Sequence, residues 1–309
     1  MAYSLSDINE AVRSDPKGFS QRCDEEFQKK VRTAAEKIAE HREESHIILL
    51  SGPSGSGKTT TALKIEDTLN AMGVKTHTVS MDNYFNTIDP ETAPRNREGA
   101  VDYESPFCLD IELLNRHFTM LDRGETIHVP KYEFARQMRS DIMSQPLHLG
   151  HDELAIFEGI HALNDVIIGK NPNAFKLYIA ARSSVMDDGK LIFDHAWLRL
   201  CRRIVRDYKF RGSNAEFTMK MWSNVRRGEK LYISPYKENA DLMFDSSLAC
   251  EFSVLKPYVV PLLEELPRGK YPVADQILAA YEKIEGMEDT YLAPDSLARE
   301  FVGGSTYTY

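Results

Sequence analysis

The chain has 309 residues, of which 42% are hydrophobic, 28% charged and 10% aromatic, the composition of an ordinary globular protein long enough to bury a sizeable core. Its 38 Lys and Arg against 47 Asp and Glu give a formal charge of −9, which argues against sequence-independent binding of nucleic acid. No apolar run approaches the roughly 20 residues of a membrane span, and the first residues lack a signal-peptide core, so a cytoplasmic protein without membrane or nucleic-acid partners is expected.

Residues 1–46 read as a polar helical lead-in. Phe27, Val31, Ala34, Ala35 and Ile38 recur at helical spacing among charged residues, which predicts one amphipathic helix lying on the body. The run 47–50 is apolar throughout, as in a strand buried on both faces, and comparable runs lie at 74–79, 154–157, 175–179 and 242–244. Helical stretches at 60–72 and 109–121 separate some of them, so a mostly parallel α/β sheet with helices on both faces is expected. Residues 83–106 form a long polar loop, and 126–149 alternate like a hairpin. Cys23, Cys108, Cys201 and Cys250 are scattered without Cys-x-x-Cys spacing and are expected to be free thiols.

Gly52-Pro53-Ser54-Gly55-Ser56-Gly57-Lys58-Thr59, followed by Thr60, matches the P-loop pattern at every fixed position and lies between a predicted strand and a predicted helix. Glycines let the backbone N–H groups turn inward around an anion, Lys58 is placed to reach the β- and γ-phosphates, and the Thr59 hydroxyl to bind Mg²⁺. A nucleoside triphosphate, ATP with Mg²⁺, is the expected cofactor. No Asn-Lys-x-Asp guanine reader is present. Glu158 closes the strand at 154–157, at the sheet end where ligand crevices open, and is the candidate partner of Thr59 on the metal. Asp82 follows another strand end. A kinase needs a carboxylate to take the proton of the attacking hydroxyl, and Asp82 is the candidate. The alternative for Asp82 is a helix cap.

From Arg199 to Lys230 the sequence holds ten Lys and Arg against three acids. Arg199, Arg202, Arg203 and Arg206 share one helical face, and Arg211-Gly212 reads as the helix end. Such guanidinium clusters suit a lid over a triphosphate.

The ordered set of the P-loop, Ser80–Phe85, Asp102–Pro106, Pro130–Phe134 with Arg139, Phe157–Ile160, and Arg202–Asp207 with Arg211-Gly212 resembles the uridine–cytidine kinase branch of the phosphoribulokinase/uridine kinase family over roughly residues 45–246. The segment Arg299–Ser305 resembles a bacterial uridine-kinase-like subgroup whose members often carry an extra N-terminal domain; with about 46 residues before the first core strand, that domain is expected to be missing here. The resemblance further implies transfer of the ATP γ-phosphate to the 5′-hydroxyl of a ribonucleoside, uridine or cytidine first. Asp82 is then the base, Arg203, Arg206 and Arg211 the lid arginines, and Tyr84 a neighbour of the acceptor. Glu104 binds the ribose hydroxyls, with Asp102 sharing or replacing it. Tyr132 and Phe134 face the base, with Arg139 beside them. Gln137 stands where the family commonly has a base-reading His, and Glu104 where it usually has Asp, which leaves the base open.

The expected division is a lead-in (1–46), a kinase core (47–246, hairpin about 126–149, lid about 185–235) and a helical extension (247–309). Ile277, Leu278, Tyr281 and Ile284 in the extension pack on the body or on a second subunit, so a homo-oligomer stays open. Two rivals remain. One is a kinase of another small alcohol or a sugar phosphate, with Arg95 and Arg97 holding an acceptor phosphate. The other is a non-catalytic ATP sensor.

Overall fold

The apolar runs pair into one sheet of five parallel strands, β1 (Ile47–Ser51), β2 (Thr76–Ser80), β3 (Leu154–Glu158), β4 (Phe175–Ala180) and β5 (Leu242–Asp245), in the spatial order β5-β4-β1-β3-β2. The computed structural model describes residues 2–133, 136–142, 146–169 and 171–308. All four ladders are parallel, with Ile47 opposite Ala155 and Ile48 opposite Phe175.

Alternation along β1 divides the core. Ile48 and Leu50 join one apolar cluster, Ile47 and Leu49 the other, because successive strand side chains point to opposite faces. The first cluster is covered by α2 (Pro16–His41), which follows α1 (Leu5–Ser14), and by α3 (Lys58–Ala71). Phe27, Val31, Ala34, Ala35 and Ile38 of α2 are all buried in it, at the predicted spacing. The second cluster is covered by α4 (Ile111–Asp122), whose Phe118 ring meets Phe157 edge-on at 4.7 Å. All four cysteines are buried and free.

Strand order reverses beside β1, between the excursion to β3 and β2 and the one to β4 and β5. In α/β sheets such a reversal is where the loops at the C-terminal ends of the strands part and a ligand crevice opens. The helices α5 (His195–Phe210) and α6 (Ala215–Gly228) follow β4 and lie over that end. Beyond β5, α7 (Glu251–Glu264) and α8 (Pro272–Tyr281) extend the first cluster, and a short α9 (Arg299–Val302) ends a strap that crosses α3 and α5.

Two predicted boundaries are corrected. The lead-in is not one helix but a strand and two helices. Ala2–Ser4 pairs parallel with Ser184–Asp187, which continues as a hairpin through Asp188 and Gly189, both with positive φ, to Lys190–Phe193. That hairpin occupies the start of the expected lid. The lid's helical part begins at His195 and breaks after α6 into a π-helical turn, Glu229–Ile233. The 126–149 hairpin is present as Ile127–His128 against Pro146–Leu147, with a second pair, Tyr132–Glu133 against Met138–Arg139, inside it.

Candidate functional site

The P-loop leaves β1 and enters α3 at Lys58, as the sequence predicts. Gly55 and Gly57 have φ of 76° and 77°, the left-handed region where a side chain is strained. A Cβ on Gly57 would also stand 2.7 Å from Leu297 Cδ1. The loop is held from outside by its carbonyls. Arg202 Nη1 donates to Gly55 O at 3.0 Å and Ser246 Oγ to Ser56 O at 2.5 Å. Its inner side, with the N-terminus of α3, is left to an anion.

Lys58, Asp82 and Glu158 follow the ends of β1, β2 and β3 and meet in one place, Glu158 buried and the other two half-buried. Lys58 and Glu158 each respond to the charges of the other two, and Asp82 to that of Lys58. Burial pulls the Lys58 amine down, with Glu158 and Asp82 opposing. Burial pushes the Asp82 carboxyl up, against Lys58, Arg211 and Arg206. Burial also pushes Glu158 up to about 7, with Lys58 opposing and Asp82 adding to the rise. Asp82 is not the cap of its turn: Ser80 Oγ accepts from the Asp82 N–H at 3.4 Å, so the Asp82 side chain is released to the crevice.

Thr59 Oγ1 donates to Glu158 Oε1 at 3.4 Å. A hydroxyl oxygen facing a carboxylate oxygen is a hard donor pair suited to Mg²⁺, which takes few protein ligands and completes its shell with water and phosphate oxygens. Among the described residues, no cluster of three or more His, Cys, Asp and Glu side chains is placed to hold a metal by itself. The donors present therefore fit a cation shared with a phosphate.

The four arginines of the α5 face divide into two pairs. Arg199 and Arg202 are buried and structural. Arg199 forks onto Glu229 at 3.1 and 2.6 Å, and Arg202 forks onto Glu251 at 2.6 Å from both Nε and Nη2. Arg203 and Arg206 face the cradle: Arg203 Nη1 donates to Ser54 Oγ, and burial pulls the Arg203 guanidinium down to about 10. Arg206 meets Asp207 Oδ1 at 2.8 Å, Arg203 lies 3.7 Å from Asp207, and Arg211 lies 3.8 Å from it. The buried Asp207 thus holds all three predicted lid arginines. The sequence reading counted Asp207 only as one of three acids, although its place one residue after Arg206 and four before Arg211 is a usable signal.

On the acceptor side the two acids part company. Asp102 is buried and satisfied: Arg227 Nη2 donates to it at 2.6 Å and the Tyr232 hydroxyl at 2.9 Å, and these bonds hold its carboxyl below the usual range despite burial. The π-helical turn brings Tyr232 there. Glu104 is half-buried, and its carboxylate makes no hydrogen bond or ion pair among the described residues. Burial pushes it up to about 7, with Arg203 pulling it down. Of the two acids, Asp102 is thus engaged by Arg227 and Tyr232, and Glu104 is not.

Tyr132 lies half-buried with its ring 5.6 Å from that of Phe85. Gln137 is exposed at the hairpin tip with φ of 52°, and Phe134 lies outside the described residues. Two expected ligand contacts are corrected. Tyr84 is fully buried under the crevice and its hydroxyl meets His117 Nδ1 at 2.9 Å. Arg139 forks onto Asp110 and the carbonyls of Phe85 and Tyr84 at 3.0 to 3.2 Å, bracing the loop below the hairpin. Arg95, a candidate for an acceptor phosphate, is tied to its own loop through the carbonyls of Gly99 and Pro90.

A model described as the phosphoribulokinase/uridine kinase family matches residues 47–251. A uridine kinase of Macrococcus caseolyticus is 31% identical over 198 residues, covering 64% of this chain and 86% of that protein. A uridine kinase of Saccharomyces cerevisiae is 27% identical over 202 residues, covering 65% of this chain, and the match spans 37% of that relative's length. Among solved structures, a protein described as a fructose transport system kinase from Silicibacter sp. TM1040 aligns with a TM-score of 0.50 at 19% identity, over 69% of this chain and 98% of its own, a likeness of fold.

Proposed function

The chain belongs to the phosphoribulokinase/uridine kinase family, and from that premise we propose that it is a small-molecule kinase that moves the γ-phosphate of ATP to the 5′-hydroxyl of a ribonucleoside, uridine or cytidine first. The observation that carries this reading is the meeting of Lys58, Asp82 and Glu158 at three strand ends, with Arg203 against the P-loop above them. It supports the parts phosphoryl transfer needs: a cradle, a metal pair, a proton acceptor and guanidinium charge gathered by Asp207.

In this reading the P-loop amides, Lys58, Arg203, Arg206 and Arg211 hold the phosphates and spread their charge. Thr59 and Glu158 would hold Mg²⁺, which would supply positive charge to the phosphates when bound. Asp82 accepts the proton of the attacking hydroxyl and keeps it in line. Glu104 accepts hydrogen bonds from the vicinal ribose hydroxyls, held in place by the Asp102–Arg227 brace behind it. Tyr132 supplies an aromatic wall for the base.

A panel of acceptors with labelled ATP tests this directly. Phosphorylation of uridine or cytidine, with a 2′-deoxynucleoside much poorer, is the expected result. Phosphorylation of sugars or sugar phosphates in place of nucleosides moves the acceptor to another class, and ATP binding without any acceptor-dependent ADP release leaves the sensor.

A further inference from the structure

The strap after α8 reaches back over the P-loop and places a carboxylate where a phosphate is needed. Glu300 Oε2 accepts from the Thr60 N–H at 3.3 Å and from the Thr60 hydroxyl at 2.5 Å. Thr60 is the third residue of α3, so its N–H is one of the donors of the helix's first turn. Those donors, with the loop amides, are the ones that cradle the α- and β-phosphates in a P-loop. Two anions cannot share them.

From this we infer that Glu300 is a built-in competitor for the nucleotide, a gate that must turn out of the cradle before the phosphates of ATP can enter. The inference rests on the ATP-binding part of the proposed function. It does not depend on which acceptor is used.

The surroundings show what moves and what stays. The strap's backbone is firmly seated. Leu297, Ala298, Phe301 and Val302 are buried, Leu297 packs against Gly57, and Phe301 lies 4.9 Å from the guanidinium of Arg202. Arg199 and Arg202 belong to the buried pairs beneath. Arg299 ties the strap to itself through the carbonyls of Asp289 and Leu292 at 2.9 and 3.0 Å, and Lys209 holds Val302 O at 2.6 Å. Glu300 itself is only half-buried. The gate is thus one side chain on a fixed frame, and it opens by a change of rotamer while the strap stays in place. Lys58 and Arg211, which both respond to the Glu300 charge, offer it positive neighbours when it leaves Thr60.

A closed fraction lowers the apparent affinity by the fraction of molecules that are open, without changing the open site. Removing the charge removes that penalty. Calorimetric titration of the full chain with Mg²⁺ and a non-hydrolysable ATP analogue tests this, using the wild type, Glu300→Gln and Glu300→Ala, with adenosine as the ligand lacking phosphates. Both variants are expected to bind the analogue about tenfold more tightly, a penalty of the size set by a mostly closed gate, and adenosine equally. Glu300→Gln keeps the shape of the strap and carries the test if the alanine variant fails to fold. Unchanged or weaker binding of the analogue by Glu300→Gln overturns the gate, as does an equal gain for adenosine. The acceptor panel separates the two readings. Nucleoside turnover with unchanged analogue affinity in the variants sinks the gate alone, and tighter binding without turnover of any acceptor keeps the gate and sinks the kinase.

Discussion

The hydroxyl of Thr59 faces the carboxylate of Glu158 across 3.4 Å, joining the first turn of α3 to the end of β3. The pair is fixed by two rigid elements, so it is preorganised for a cation that neither side chain could hold alone. Glu158→Gln keeps the shape and removes the charge. Its Mg²⁺ requirement is expected to rise by about 10- to 100-fold, with a matching loss of rate at low Mg²⁺. Activity measured against Mg²⁺ concentration checks this, and an unshifted curve would remove Glu158 from the metal.

Asp82 is half-buried beside Lys58, and its turn is capped by Ser80, so among the described residues its carboxylate is not spent on the cap. Asp82→Asn is expected to bind ATP as the wild type does and to lose about 10²- to 10⁴-fold in kcat, the usual contribution of a positioned base. Calorimetry for ATP and steady-state rates for the acceptor give the two numbers. Near-normal kcat would assign the proton to another group.

Glu104 gives a prediction with a definite sign. Its ordinary value is 4.5, and in the folded chain burial first, then Asp102 and Asp82, push it to about 7 against Arg203 and Arg227. The folded chain therefore holds a proton that the unfolded chain has released. That contribution to stability is present in full below the unfolded value and is lost as the pH climbs through about 7. Glu104→Gln carries no such proton. Its Tm should gain on the wild type from pH 5 to pH 8 and exceed it at pH 8, while its acceptor KM rises. A Tm difference independent of pH would show that the carboxyl is not perturbed.

Arg202 and Glu251 are both fully buried and form a fork at 2.6 Å, with Arg202 also reaching Gly55 O and Ser246 O. Removing one partner leaves a buried charge. Glu251→Ala is expected to cost about 3–5 kcal/mol of stability by chemical denaturation. The double replacement Arg202→Met with Glu251→Leu should recover most of it, but with weaker ATP binding, because Gly55 O loses its donor. A double variant as unstable as the single one would contradict this account.

The parts legible in the sequence are local ones. The apolar run, the glycines and the lysine of β1, the loop and α3 are consecutive, and each demands the next. The residues that join across distance were less legible. Arg202 shares its helical face with Arg203, yet its partner Glu251 lies 49 positions on and takes it out of the lid. Asp102 and Glu104 are two residues apart and chemically alike. Arg227 and Tyr232, 125 and 130 positions later, decide which of them is satisfied. Tyr84 follows Asp82 by two residues in a tight turn, and the turn sends its ring into the core beside His117. Glu300 lies in the segment Arg299–Ser305, which reads as a subgroup resemblance, but its contact with Thr60 was not legible because the two stand 240 positions apart.

That separation bears on how the chain matures. Contacts between Ser296 and Asp24, and between Glu300 and Thr60, join residues 272 and 240 positions apart. Closing such long loops is slow relative to local helix formation. The glycine-rich turn and α3 are local structure, so they form ahead of the strap that comes to lie across them.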